Sequence, residues 1–420
     1  MPSSSFETFV NAHTHSNSIP LKGTSGSAPF EVWLSSYRLA APIGRLTPEQ
    51  QVACALALGL ENLEAGNAGI IDHLYSPLTP ESVYGVAEAY ESLGVRAWVF
   101  PNVDDLPVAL YSKRYYPDYP KAIPDDELPQ EARDLIEPAP FQPRLEAAKK
   151  LIKGWRGNRV QMGLALGNPV WCSDELLEAA VDVLKELDVP LEIHAEESPV
   201  QREVSLAQWG MSGIQRLDRY GLLSPRTLVA HCVQVSEEDV AILGKRGVSV
   251  SHNPLSNLKL RNGIGPIGRM LKAGVNVTLG SDGPNAADMQ SLFPVMRMVA
   301  CLARLNGIQE VNDNVEEQVV KMASSHGRNL WFPAAMADDR VEYAQPIDPV
   351  RLVWTDAASS IKEIYVGGEP ILEKARALVE DRKAHEIVAF LSREAMHPGG
   401  PGPDLAQRCR PLIQRYARSI

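Results

Sequence analysis

Short apolar runs bounded by turn residues recur along this chain, and helix-like stretches separate them. Apolar runs of four to eight residues are typical of strands buried in a parallel sheet. The pattern predicts eight strands, at about 8–14, 68–74, 96–102, 160–166, 190–194, 227–232, 248–252 and 276–281. Strands that alternate with helices predict an α/β fold, and eight such units predict a (β/α)8 TIM barrel.

The segments between the predicted strands have helical patterns. Thr47–Ala65 and Ser173–Leu187 carry apolar residues at a spacing near 3.6, and each begins with a residue type that caps helices. Two connections, residues 16–45 and 103–145, are much longer than simple turns. Both leave the carboxyl ends of their strands, which is the face of a barrel where substrate loops lie.

Charge and composition narrow the classes of partner. The 420-residue chain carries a formal net charge of -11, which disfavours nucleic acid and anionic membranes because both attract basic surfaces. No apolar run approaches the roughly 20 residues that span a bilayer, and the N-terminal residues do not resemble a secretory signal. The five cysteines form no Cys-x-x-Cys pair, so we expect free thiols and a cytoplasmic location.

The candidate chemistry lies at the ends of predicted strands. His13 and His15 end the first strand, and because alternate residues of a strand face the same side, both imidazoles point into one cavity. Such a pair suits zinc or a similar divalent metal. His194, His231 and Asp282 end three further strands. Functional side chains at the carboxyl ends of several barrel strands predict a metal-dependent active site.

In chain order these residues form a specific series. His13-x-His15 is followed by His194 with Glu197, by Ala230-His231-Cys232, by the run Ser251-His-Asn-Pro-Leu-Ser-Asn-Leu-Lys-Leu260, and by Gly280-Ser-Asp282-Gly. The series resembles the amidohydrolase superfamily, in the branch of S-adenosylhomocysteine/adenosine-type deaminases, cytosine deaminases and s-triazine hydrolases. The resemblance covers about residues 6 to 370, and the run from Ser251 with the Gly-Ser-Asp-Gly segment is its most specific part.

The resemblance implies one divalent metal ion, with Zn²⁺ expected and Fe²⁺ as the alternative. The residues that would hold it are His13, His15, His194 and Asp282. An arrangement with His231 as a fifth ligand stays open. The fourth strand ends in Leu164-Ala-Leu-Gly167 without a lysine, so a binuclear centre bridged by a carbamylated lysine is not expected.

The resemblance also implies a mechanism. The metal would lower the pKa of a bound water toward neutrality, and the resulting hydroxide would attack a ring carbon that bears an amino group. Asp282 would accept a proton from the water, and Glu197 would carry protons to a ring nitrogen and to the leaving amine. His231 would orient the hydroxide and stabilise developing charge. The neighbouring Glu196 could exchange roles with Glu197.

The expected function is a hydrolytic deaminase that releases ammonia from an aminated nitrogen heterocycle of nucleobase or nucleoside type. The alternative is a triazine hydrolase that displaces chloride or an alkylamine, and the remote alternative is a non-catalytic barrel scaffold. Phosphorylated substrates are disfavoured, since the chain has no phosphate-binding glycine loop at the mouth and its net charge is negative. The expected partners are the small heterocycle and further copies of this chain, as a homodimer or higher homo-oligomer.

Three residues are candidate substrate contacts. Trp33 and Trp171 offer flat apolar surface for a heterocycle, with packing of a lid as the alternative for Trp33. His252 ends the seventh strand and is expected to face the same mouth. His73 ends the second strand, where it either borders the metal or is simply a polar strand terminus.

The expected division of the chain is a hydrolase barrel at 1–340, a residual small β domain at 341–375 and a C-terminal helical tail at 376–420. Members of the family carry half of a small β-sandwich before the His-x-His strand, whereas twelve residues precede His13 here. We therefore expect a reduced sandwich contributed mainly by the C-terminal region, one completed by another chain, or one whose first half lies outside this sequence. A helix at Asp404–Ser419 should pack on the barrel or on a neighbour.

Overall fold

The computed structural model describes residues 3–24, 26, 28–40, 46–108, 110–137, 140–305, 314–332, 336, 338–395 and 401–417. The strands within these residues, β1 to β13 in order, are Ser3–Glu7, Phe9–Thr14, Asn67–Leu74, Arg96–Val103, Val160–Met162, Leu164–Leu166, Leu191–Ala195, Thr227–His231, Ser249–His252, Asn276–Leu279, Arg340–Ile347, Ile361–Val366 and Glu369–Pro370.

The helices of the same residues, α1 to α19 in order, are Phe30–Ala40, Pro48–Glu64, Pro80–Leu93, Gln130–Ile136, Phe141–Gly154, Asp174–Leu187, Pro199–Trp209, Gly213–Tyr220, Glu237–Arg246, Pro254–Lys259, Ile267–Lys272, Pro284–Ala287, Leu292–Leu305, Val315–Ala323, Ser325–Arg328, Pro349–Trp354, Leu372–Asp381, Ala384–Ala395 and Pro401–Ala417. None of them combines the length and the apolar character that a bilayer crossing requires.

Nine strands form one parallel sheet that curves into a barrel. Its order is β10-β9-β8-β7-β6-β4-β3-β2, with β5 also paired to β4. The two ends of the sheet meet where the Asp282 amide donates a hydrogen bond to the His13 carbonyl at 2.9 Å. The predicted TIM barrel is confirmed, and a strand is observed at each of the eight predicted positions.

The fourth predicted strand is divided into β5 and β6 at Gly163. A Cβ atom there would lie 2.7 Å from the carbonyl oxygen of Pro190 and closer still to the ring of Phe100. Glycine therefore permits a close backbone approach that any side chain would prevent.

The helices outside the barrel begin where the sequence places capping residues. Thr47 forms a reciprocal capping box with Gln50 at the start of α2, and the Ser173 hydroxyl accepts from the Leu176 amide at the start of α6. Both caps satisfy amides that the first turn of a helix leaves unpaired.

A second sheet of four antiparallel strands has the order β1-β11-β12-β13. It pairs the N-terminal strand β1 with the strands β11, β12 and β13, which follow the barrel in the chain. Arg96 on β4 joins this sheet to the barrel through two hydrogen bonds to the buried carboxylate of Asp339, at 2.5 and 3.0 Å.

An apolar cluster covers the mouth of the barrel, and we call it the cap cluster. Its buried members are Phe30, Val32, Leu34, Leu110, Tyr111, Tyr116, Tyr119, Ala122, Ile123, Leu128, Ala132, Val170, Trp171, Val200, Val204, Leu260, Ala286, Leu405, Cys409 and Ile413. They come mostly from α1, from the long connection after β4 and from α19, which packs on α1. The predicted helix Asp404–Ser419 is thus observed as Pro401–Ala417 above the mouth, and its last residues lie outside the described chain.

Candidate metal centre

Imidazole and carboxylate groups from four strand ends converge inside the mouth of the barrel. Three overlapping sets bring one ligand atom from each member within 4.8 Å of the others: His13 with His194 and His231, His13 with His15 and Asp282, and Glu197 with His231 and Asp282. His15 and His194 also face each other, with 3.3 Å between their Nε2 atoms. Residues separated by more than 260 positions in the chain therefore form one cluster.

Each imidazole of the cluster has an oxygen acceptor at Nδ1. His13 pairs with Glu192 Oε1 at 2.8 Å, His15 with the His73 carbonyl at 2.8 Å, His194 with the Gly167 carbonyl at 2.8 Å and His231 with Asn257 Oδ1 at 2.9 Å. A proton on Nδ1 leaves the lone pair on Nε2, which is the nitrogen that faces the cluster. His13 Nε2 is buried and has no hydrogen-bond partner among the described residues. This donor set fits a divalent metal ion.

Asp282 supplies the negative charge of the cluster. Its Oδ1 atom lies 3.5 Å from His15 Nε2 and 3.7 Å from His13 Nε2. Its Oδ2 atom accepts a hydrogen bond from Ser256 Oγ at 2.5 Å. Burial opposes ionisation, but the neighbouring imidazoles and this hydrogen bond lower the pKa of the carboxyl group below its usual range. A carboxylate in this position complements a cation.

The electrostatics of the rings also suit metal binding. Burial lowers the pKa of His15 to about 3 and that of His231 to about 4, and it holds the pKa of His194 well below its ordinary value. Neutral imidazole is the form that binds a metal ion. His13 is the exception among the four rings: burial is outweighed by the charge and hydrogen bond of Glu192, so its pKa is raised.

Glu197 and Glu196 point in different directions. Glu197 Oε1 lies 3.8 Å from His231 Nε2 and accepts from Asn262 Nδ2 at 3.0 Å. Burial, reinforced by the charges of Asp282 and Glu31, raises its pKa well above the usual range, which favours the protonated form of this carboxyl group. Glu196 instead accepts from the Gly213 amide and from Arg202, at 2.6 and 2.8 Å, away from the cluster.

The two tryptophans expected at the substrate belong to the cap. Trp171 is buried in the cap cluster, on a short 3-10 helix after β6. Trp33 is half-buried on α1, and its ring lies 5.9 Å from that of Phe30.

The expectation that His252 faces the mouth requires correction. Its ring lines an apolar cleft with Ile267 of α11, Val299 of α13 and Met322 of α14, outside the barrel wall. The preceding residue, Ser251, faces the interior, where its Oγ atom would lie 2.6 Å from a Cβ at Gly280. Adjacent residues of a strand face opposite sides, so His252 points away from the cluster.

Two buried carboxylates near the cluster were not among the predicted site residues. Glu192 is the partner of His13, and it lies two positions before His194 on the same strand. Glu31 on α1 accepts a hydrogen bond from Ser198 Oγ, beside Glu197. Strand periodicity alone could have indicated Glu192, because residues two apart share a face. Nothing in the local pattern of α1 indicates the partner of Glu31.

Comparison with known proteins is consistent across sequence and structure. The profile of the amidohydrolase family matches residues 8–330. A 5-methylthioadenosine/S-adenosylhomocysteine deaminase of Syntrophobacter fumaroxidans is 28% identical over 408 residues, covering 91% of this chain and 84% of the relative. A 5'-deoxyadenosine deaminase of Methanopyrus kandleri is 25% identical over 391 residues, covering 89% and 82%.

Two solved structures share the fold. An adenosine deaminase from Xanthomonas campestris with bound zinc has a TM-score of 0.73 at 23% identity, covering 92% of this chain and 86% of that one. A triazine hydrolase from Arthrobacter aurescens has a TM-score of 0.75 at 20% identity, covering 90% and 87%. At these identities the two structures support the architecture of the chain and do not indicate its substrate.

Proposed function

This chain belongs to the amidohydrolase family, and on that premise we propose that it is a metal-dependent hydrolytic deaminase of an adenosine-like heterocycle. The observation that carries the proposal is the buried cluster of imidazole Nε2 atoms and carboxylates, in which every ring is oriented by an acceptor at Nδ1. The relatives named as deaminases of adenosine derivatives support the choice of reaction.

The residues that would hold one divalent metal ion, with zinc as our choice over iron, are His13, His15, His194 and Asp282. His231 is proposed as a catalytic residue rather than a ligand, and its membership of a three-histidine set makes it the candidate for a fifth ligand in the alternative arrangement. When bound, the metal supplies the Lewis acidity that makes water a strong nucleophile near neutral pH.

The side chains would then divide the proton transfers. Asp282 accepts the proton that the attacking water loses, because its lowered pKa keeps the carboxylate ionised and its Oδ1 atom faces the ligand nitrogens. Glu197, whose raised pKa favours the protonated form, donates a proton to a ring nitrogen as the carbon is attacked. It then carries the proton of the newly added hydroxyl group to the leaving amine, and the proton that Asp282 took from the water restores the acid form of Glu197. His231, fixed by Asn257, stabilises the charge that develops at the attacking oxygen. The sum is water plus aminated ring giving the oxo ring plus ammonia.

A neutral nucleoside-like substrate is the class we propose. The net charge of -11 disfavours a phosphate group. Trp33 and Trp171, from the cap, are the proposed flat surfaces for the heterocycle. We also propose that the protein is a cytoplasmic homo-oligomer. The proposed division of the chain is a hydrolase barrel at 1–340, a small β domain at 341–375 and a helical tail at 376–420.

Ammonia release from a panel of compounds tests this function. The panel contains adenosine, 5'-deoxyadenosine, 5-methylthioadenosine and S-adenosylhomocysteine, with phosphorylated analogues, chlorinated triazines and linear amides as comparisons. We expect the highest kcat/KM for an unphosphorylated adenosine derivative and loss of turnover after chelation. Turnover confined to chlorinated triazines or linear amides would overturn the deaminase while leaving the metal site intact.

A further inference from the structure

A buried carboxylate lies directly beneath the metal centre. Glu192 is fully buried on β7, two residues before His194, so both side chains point into the barrel. Its Oε1 atom accepts from His13 Nδ1 at 2.8 Å, and its Oε2 atom accepts from His73 Nδ1 on β3. Glu192 therefore joins the first histidine of the cluster to a histidine that lies outside every metal-ligand set.

His73 has a second acceptor on its other ring nitrogen. Its Nε2 atom lies 3.1 Å from Asn102 Oδ1, and the Asn102 amide nitrogen donates to Asp104 at 2.8 Å, which fixes the orientation of that amide. The ring of His73 is therefore held between Glu192 on one side and Asn102 on the other.

The backbone of His73 contacts His15, the residue that follows strand β2. Its carbonyl oxygen accepts from His15 Nδ1 at 2.8 Å. Residue 73 thus acts on His15 through its main chain and on His13 through Glu192. Strand β3, which carries His73, is buried along its whole length.

We propose that Glu192, held in place by His73, is the positioning residue of His13 and thereby sets the metal affinity of the site. A carboxylate on Nδ1 of a ligating histidine fixes its tautomer and ring orientation and raises its basicity, and loss of such a partner weakens metal binding 10–100-fold as an order of magnitude. The inference rests on the proposed metal site.

Zinc affinity, measured by competition with a chromophoric chelator, tests the role of Glu192. We expect Glu192→Gln to weaken zinc binding by roughly 10–100-fold, because an amide in place of the carboxylate removes the charge behind His13. Glu192→Asp keeps the charge but withdraws it from His13, so the same direction is expected. Glu196→Gln is the matched control, since it neutralises a buried carboxylate on the same segment that pairs with Arg202 instead.

A second readout separates positioning from stability. The visible spectrum of the cobalt-substituted protein should change for both Glu192 variants and stay unchanged for Glu196→Gln, because only the former alter a ligand's donor strength. If both Glu192 variants bind zinc like the control, the proposal is overturned, even where their unfolding temperature falls. If the wild-type protein itself binds no zinc, the metal site fails first and the proposed function fails with it.

Discussion

Three residues at or just after the strand ends adopt a left-handed backbone conformation that residues other than glycine usually avoid. His231, Asp282 and Glu196 have positive φ angles of 76°, 65° and 50°. Such a residue costs on the order of 1–3 kcal/mol and persists where the surrounding contacts determine it. Here the backbone of Asp282 is held by His13 and that of Glu196 by the amides of Val233 and Gln234. The strain turns the chain sharply after each strand and directs His231 and Asp282 into the cluster.

The raised pKa of Glu197 gives the first prediction. Glu197→Gln should retain the metal and the fold while lowering kcat by roughly 10²–10⁴, the usual scale for the loss of a general acid or base. Steady-state kinetics with metal analysis of the same preparation measures both effects. Glu196→Gln is the control, because Glu196 points toward Arg202. If the control shows the loss and Glu197→Gln does not, the roles of the two residues are reversed.

The buried Glu31 predicts a pH dependence of stability. Burial raises the pKa of this carboxyl group from 4.5 to about 7, against the opposing hydrogen bond from Ser198. The native state therefore binds a proton more tightly than the unfolded state. The contribution to stability is fully present below pH 4.5 and is lost as the pH rises through 7, and it is roughly 3 kcal/mol in size.

Glu31→Gln removes this titration and keeps an oxygen that can accept from Ser198. The variant should unfold at the same temperature as the wild type near pH 5 and a few degrees higher near pH 8. Calorimetric scans across this range measure the difference. A constant difference at all pH values would contradict the prediction, because it would show that Glu31 has the same pKa in the native and the unfolded protein.

At the scale of elements, strand periodicity accounts for both the successes and the failures of the sequence analysis. Apolar runs predicted the barrel strands. The histidines and the aspartate at the ends of four of these runs predicted the cluster of metal-binding groups. The same alternation should have directed His252 outward once Ser251 was assigned to the interior, and it should have paired Glu192 with His194. The partners of Glu31 and His73 could not be predicted, because each depends on how separate elements pack together.

The packing of α19 gives a prediction for an element far from the metal. Leu405, Cys409 and Ile413 are buried at a spacing of four residues, which places them on one face of the helix against α1. Ile413→Ala should lower the free energy of unfolding by about 2–4 kcal/mol. Because α1 carries Glu31 beside Ser198, we also expect a higher KM with unchanged zinc affinity.

The control for this prediction is Gln407→Ala, an exposed position on the same helix. It should change neither the unfolding temperature nor KM. Unfolding curves and steady-state kinetics of the two variants provide the comparison. If Ile413→Ala lowers the unfolding temperature but leaves KM at the wild-type value, α19 stabilises the fold without influencing the site.

At the scale of the whole molecule, the first strand and the last helix of the described chain both pack against elements that are distant in the sequence. The N-terminal strand β1 pairs with β11, and the C-terminal helix α19 covers the connection after β2. Neither contact has a local signature, since both depend on the barrel bringing distant segments together. For this reason the barrel could be predicted from the sequence, whereas the position of the last helix could not.

The cluster inside the barrel predicts that one metal ion stabilises the whole fold. Protein purified without chelator should contain about one zinc or iron ion per chain, since the donors form a single centre. A ligand that binds only the native state, present at 1,000 times its Kd, adds about 4 kcal/mol to the free energy of unfolding. Chelation should therefore abolish turnover and lower the unfolding temperature, and added zinc should restore both. Elemental analysis with calorimetry measures these effects, and a stoichiometry near two would contradict the single centre.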